Sequence, residues 1–80
     1  MTPSAELVEY LARRLVESPG AVSVEEVEEE DGALVIQLRV ATEDLGRVIG
    51  RGGRIARALR TLVRAGGAHG DRRVLLEIIE

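Results

Sequence analysis

Leu7, Val8, Leu11, Leu15 and Val16 recur at the spacing of one helix face, with Glu6, Glu9 and Arg13 on the other. Thr2 or Ser4 can cap this helix, with Pro3 in or near its first turn, and Ser18-Pro19-Gly20 stops it. The period then changes to two. A strand is predicted from about Ala21 to Glu29, where Val22 and Val24 alternate with polar neighbours. Val27 is out of phase with them, which a bulge or an early strand end near Glu25–Glu26 would explain. Asp31-Gly32 is a tight-turn signal. Leu34, Ile36, Leu38 and Val40 then alternate with Val35, Gln37, Arg39 and Ala41, giving the clearest strand in the chain.

Thr42-Glu43-Asp44 offers a second helix start, followed by one short helix from Leu45 to Ile49. Gly50-Arg51-Gly52-Gly53 breaks it, and a longer helix runs from Arg54 to about Ala65. Ile55, Leu59, Leu62 and Val63 form its core-facing stripe. Gly66-Gly67 ends that helix, Ala68 to Asp71 is loop, and Val74 to Ile79 is a last strand. The order α-β-β-α-α-β predicts a two-layer α+β architecture, a three-stranded sheet covered by three helices on one face. No repeat or linker divides the chain, so residues 1–80 read as a single domain.

Composition narrows the chemistry. The chain has no cysteine, which removes disulfides and thiolate metal sites, and one histidine, His69, which removes a multi-histidine zinc site. No metal site and no cofactor are expected. His69 and Asp71 could pair as acid and base, but no nucleophile sits near them in the chain, so the chain is not expected to be an enzyme. Glu6, Glu9, Arg13 and Arg14 interrupt the first fifteen residues, which are no signal peptide, and no apolar run approaches membrane-spanning length. A cytoplasmic protein that does not enter the membrane is the expectation. Tyr10 is the only aromatic residue, so base stacking on aromatic rings is not available on any scale.

The net charge of −3 conceals a division. Residues 1–45 carry three arginines and eleven acids, a balance of −8, and residues 46–80 carry eight arginines and three acids, a balance of +5. Six arginines and no acid lie between Arg47 and Arg64. Arg57, Arg60 and Arg64 lie opposite the apolar stripe of their helix, the two farthest from the glycines being the most easily read as a solvated face. The basic residues are all arginine, the side chain suited to bidentate phosphate contacts.

Three glycines in four positions between two helices form the chemical feature of the sequence. Glycine tolerates φ > 0 and has no side chain to hold a ligand away. The turn also leads into a helix start, whose unpaired N–H groups favour anions. Arg51 and Arg54 flank it and Arg47 precedes it by one turn. A Walker A loop would need Gly-Lys-Ser/Thr, and the chain has no lysine; a dinucleotide fingerprint would need a small residue at Ile55 and a strand before the turn.

Val48-Ile49-Gly50-Arg51-Gly52-Gly53-Arg54-Ile55 resembles the GxxG core of KH domains, and the α-β-β-α-α-β order resembles the type II, bacterial form of that fold. The stretch from Leu45 to Leu76 with its flanks resembles the bacterial stand-alone KH proteins of the KhpA family, with length and topology matching over nearly the whole chain. The resemblance implies a module that clamps the backbone of about four unpaired nucleotides of single-stranded RNA. Carried over by position, Gly50, Arg51, Gly52 and Gly53 are the clamp. Ile49 and Ile55 form or support an apolar groove floor, and Arg47, Arg54 and Arg57 pair with phosphates. Gly52 departs from the family, in which that loop position is often polar or basic, and leaves Arg51 as the clamp's one side chain. The resemblance further implies a homodimer, or a heterodimer with a KH protein of the Jag/EloR type, acting in post-transcriptional or cell-envelope and division regulation. The acidic run Glu25 to Asp31 reads as a solvated hairpin, or more sharply as a surface that turns RNA towards the basic half. The alternative function is a protein-interaction adaptor with a KH fold and weak or lost RNA binding.

Overall fold

The computed structural model describes residues 1–65 and 73–79, with Arg51 and Gly52 as backbone only. The chain forms helix α1 (Pro3–Leu15), a 3₁₀ turn (Pro19–Ala21), strands β1 (Ser23–Glu28) and β2 (Leu34–Arg39), helix α2 (Thr42–Ala65) and strand β3 (Val74–Ile79). It is a small α+β domain. The predicted helix stop at Gly66-Gly67, the loop Ala68 to Asp71 and His69 lie outside the described residues.

β2 is the central strand, antiparallel to β1 and parallel to β3. One face of the sheet carries Leu34, Ile36 and Leu38 beside Val74, Leu76 and Ile78 of β3. Both helices pack there: Ala5, Val8 and Ala12 of α1 and Val48, Ala56, Leu59 and Val63 of α2 join those residues in one core. The parallel pair requires a crossover, and α2 supplies it.

Thr2 caps α1, its hydroxyl accepting the Ala5 N–H at 3.2 Å, and Pro3 takes the first helical position. The buried line of α1 is Ala5-Val8-Ala12 rather than the leucines. Leu7 and Leu15, predicted for the core, are exposed, because the small alanines let the helix lie close to the sheet and turn its larger side chains to the flank. Leu62 is likewise 39% exposed, since α2 buries Ala56, Leu59 and Val63 and sets Leu62 to one side.

Val27 does not mark a bulge. Ser23 to Glu28 pair with β2 in unbroken register, and Val27 sits opposite Val35, whose other neighbour is Leu75 of β3, on the face that bears no helix. The core-side position is filled by Glu26, opposite Ile36. Its carboxylate accepts the Thr2 N–H at 2.6 Å, at the N-terminus of α1, where a negative charge is favoured. A polar residue in a core-facing slot therefore broke the alternation without breaking the strand. The turn that follows matches the Asp31-Gly32 signal. Gly32 has φ +88°, its N–H donates to the Glu29 carbonyl at 3.0 Å, and the Asp31 carboxylate accepts the Ala33 N–H at 2.9 Å.

The helical path predicted to break at Gly50–Gly53 continues as a single element, Thr42–Ala65. The interruption is concentrated at Gly53, whose φ of +70° is left-handed. One residue of that kind is enough to interrupt the conformation, and the hydrogen-bonded turns on either side run up to it.

Candidate functional site

The site is organised by the first half of α2. Residues 43, 46, 47 and 50 fall at i, i+3, i+4 and i+7 and so share one helix face. That face forms a groove of about 620 Å³, lined by Glu43, Gly46, Arg47 and Gly50, with Arg54 and Ile55 continuing it past the turn. Leu15, at the end of α1, forms the opposite wall. Gly46 and Gly50 leave helix backbone bare along the floor: a Cβ built at either would meet no atom within 4 Å, so it would project into open space.

The end of α1 is tied to the start of α2 by Asp44. Its side chain is 1% exposed, and its two carboxylate oxygens accept the N–H groups of Glu17 and Ser18, each at 3.0 Å. A carboxylate in the first turn of a helix is also favoured by the helix dipole. Ser18 in turn donates its hydroxyl to Glu43 at 3.2 Å, which holds the Glu43 carboxylate at the rim of the groove. Arg47 pairs with Glu17 at 2.6 Å across the groove's edge. Both partners are exposed, so the pair contributes at most about 1 kcal/mol and can be exchanged for another anion.

Of the residues named from sequence, Arg47, Gly50, Arg54 and Ile55 are brought together along the groove. Gly53 supplies the left-handed backbone. Arg51 and Gly52 lie within α2 between Gly50 and Gly53, and the Arg51 side chain lies outside the described part. Ile49 is 52% exposed and points away from the core that holds its neighbour Val48, and it does not line the groove. Arg57 is exposed one turn farther on, and its carbonyl accepts the Thr61 hydroxyl at 2.9 Å.

Sequence reasoning passed over Leu15, Glu43 and Gly46, and the pairing of Arg47 with Glu17. Gly46 and Glu43 could have been found by stepping back from Gly50 at helical spacing. Leu15 gave no such signal, because it reaches the groove only through the Asp44 link between two distant segments. Among the described residues no three His, Cys, Asp or Glu side chains cluster as a metal site, and no helix is long and apolar enough to cross a membrane.

The model for the KH domain of KhpA and KhpB matches residues 5–78. The chain is 51% identical over 80 residues to the RNA-binding protein KhpA of Treponema pallidum (strain Nichols), covering all of this chain and 99% of that protein. It is 48% identical over 80 residues to the RNA-binding protein KhpA of Aquifex aeolicus (strain VF5), covering the whole of both. To the RNA-binding protein KhpA of Caldanaerobacter subterraneus it is 49% identical over 74 residues, 92% of this chain and 97% of that one. With a mixed three-stranded sheet, a glycine turn inside α2 and this likeness along its length, the chain belongs to the KhpA/KhpB KH-domain family.

Proposed function

We propose that this chain is a non-catalytic RNA-binding protein that holds the backbone of unpaired RNA at Gly50–Gly53 and lays bases in the groove alongside. The observation that carries the reading is the groove itself, where bare glycine backbone lies between two arginines, Arg47 and Arg54, next to a left-handed glycine. A chain with this surface can bring a phosphate close to bare helix backbone and pair it with guanidinium groups at the same time. The likeness to proteins named RNA-binding protein KhpA supports the same polymer as ligand. Arg51 and Arg57 would add charge on either side.

In this reading the chain acts in the cytoplasm, in post-transcriptional or envelope and division regulation. Pairing with a second copy or with a KH protein of the Jag/EloR type belongs to the same reading. Leu62, exposed on the half of α2 beyond the turn, is an apolar contact suited to such pairing and leaves the groove open. In the adaptor reading, that half of α2 would carry the whole function.

The test is a double substitution, Gly52→Asp with Gly53→Asp. Aspartate tolerates the left-handed region better than most residues, so the fold should survive, with far-ultraviolet circular dichroism unchanged. Two carboxylates in the clamp should abolish binding to a short single-stranded RNA in fluorescence anisotropy. Undiminished binding would reject the clamp, and a footprint confined to the far half of α2 would favour the adaptor.

A further inference from the structure

Gly46 has no structural reason to be glycine. It lies inside α2, where glycine costs about 0.5–1 kcal/mol relative to alanine. It does not have positive φ, and a Cβ there would touch nothing within 4 Å. Neither backbone conformation nor packing excludes a side chain, and what the bare backbone does provide is a flat place on the groove floor.

Glu43 stands one helical turn before it, on the same face and in the same groove. Among the charged side chains that line the groove Glu43 is the one carboxylate beside Arg47 and Arg54, and it repels phosphate, so a strand clamped at the turn is disfavoured from running its backbone past this point. What it can present there is a base edge with hydrogen-bond donors. The carboxylate is held for that purpose: Asp44 fixes the Ser18 backbone at 3.0 Å, and the Ser18 hydroxyl donates to one Glu43 oxygen at 3.2 Å. An oxygen that already accepts from Ser18 keeps a second lone pair, and the other oxygen can accept as well. Glu43 precedes Gly53 by ten residues, about 15 Å of helix, so the base it meets belongs to a nucleotide farther along the strand than the clamped phosphate.

The four bases differ in what they offer a carboxylate. Guanine's Watson–Crick edge has two adjacent donors, N1–H and the N2 amino group, which match two carboxylate oxygens. Adenine and cytosine each set an acceptor nitrogen beside their amino group, and uracil flanks its one N–H with two carbonyls. We propose that the groove reads one base of the bound strand, its ring lying on the bare backbone at Gly46 and its edge donating to Glu43, and that this selects guanine. The inference rests on the RNA-clamp reading above and adds base selection by residues outside the clamp.

The test uses uridine hexamers with a single guanine, adenine or cytosine moved through the sequence, measured by fluorescence anisotropy. The parent should bind a guanine-containing hexamer about tenfold or more tightly than any other, at one favoured position. Glu43→Gln offers one acceptor where guanine needs two. It should erase that preference, leaving the guanine-containing hexamers bound no more tightly than the adenine- and cytosine-containing ones. Gly46→Ala should weaken every hexamer several-fold and raise the melting temperature, a pairing of signs that a structural glycine would not give. A parent that binds all hexamers equally, a guanine preference that survives in Glu43→Gln, or full affinity in Gly46→Ala would overturn the proposal and leave the clamp standing. A parent that binds none of them would overturn both.

Discussion

Asp44 accepts two backbone N–H groups from the far end of α1 while its own backbone belongs to the first turn of α2. A buried carboxylate with both oxygens satisfied is stabilising, and its removal leaves two donors without a partner in a partly buried place. Asp44→Ala should therefore cost about 2–3 kcal/mol, a fall of about 10–20 °C in melting temperature for a domain of this size. Asp44→Asn keeps one acceptor oxygen and should recover part of the loss. Thermal denaturation of the three proteins checks the order, and a shift of less than about 3 °C for alanine would show that the link contributes little. The sequence revealed Asp44 only as a helix-start residue. Its partners lie 26 and 27 positions away, and no local pattern connects them. The glycines were similarly ambiguous by type. Gly53 is required by its backbone angle, whereas Gly46 and Gly50 lack that angle and are marked by their place in the groove, which only the folded chain defines.

At the scale of elements, period-two and helical spacing identified all three strands and the helical regions, because burial on one face imposes those periods. The errors fall where a residue's face was inferred from its hydrophobicity. Leu7, Leu15 and Leu62 read as core by hydrophobicity, yet Ala5, Val8 and Ala12 fill the core side of α1 and Ala56, Leu59 and Val63 that of α2, and the three leucines stand at the flank. Val27 was read as a slip in register because a glutamate occupies the core-side slot beside it under the N-terminus of α1. The two accounts of β1 differ in energy. With regular pairing, Val27 is 36% exposed on the sheet face without helices, and Val27→Thr should change stability by no more than about 0.5 kcal/mol. Ile36, at 0% exposure on the core face, should lose about 2–5 kcal/mol on substitution by alanine. Urea denaturation distinguishes them: a loss above about 1 kcal/mol for Val27→Thr would return Val27 to the core and require the bulge after all.

Across the whole molecule, the charge division in the sequence maps in part onto the groove, to which the acid-rich part adds Glu43 and, at the edge, Glu17. The acid-rich part contributes the edge strand β1 and the hairpin turn, where Asp31 pairs with Arg73 at 2.9 Å, while Arg47 and Arg54 stand at the groove. Binding should therefore respond to salt as a local basic site does, in spite of the net charge of −3. On a single strand each phosphate neutralised contributes about −0.7 to the slope of log affinity against log salt, so contacts from Arg47, Arg51 and Arg54 predict a slope near −2. Arg47 must first leave Glu17, and because that pair is exposed the exchange is inexpensive. Arg47→Ala and Arg54→Ala should each make the slope shallower by about 0.7 and weaken binding to all sequences alike, since phosphate contacts carry no base information. Glu17→Gln should strengthen binding modestly, because Arg47 is then released without competition. Anisotropy titrations of one short RNA across a range of potassium chloride concentrations measure all four. A slope near zero in the parent would mean that the arginines of this groove do not meet phosphate, whatever else they do.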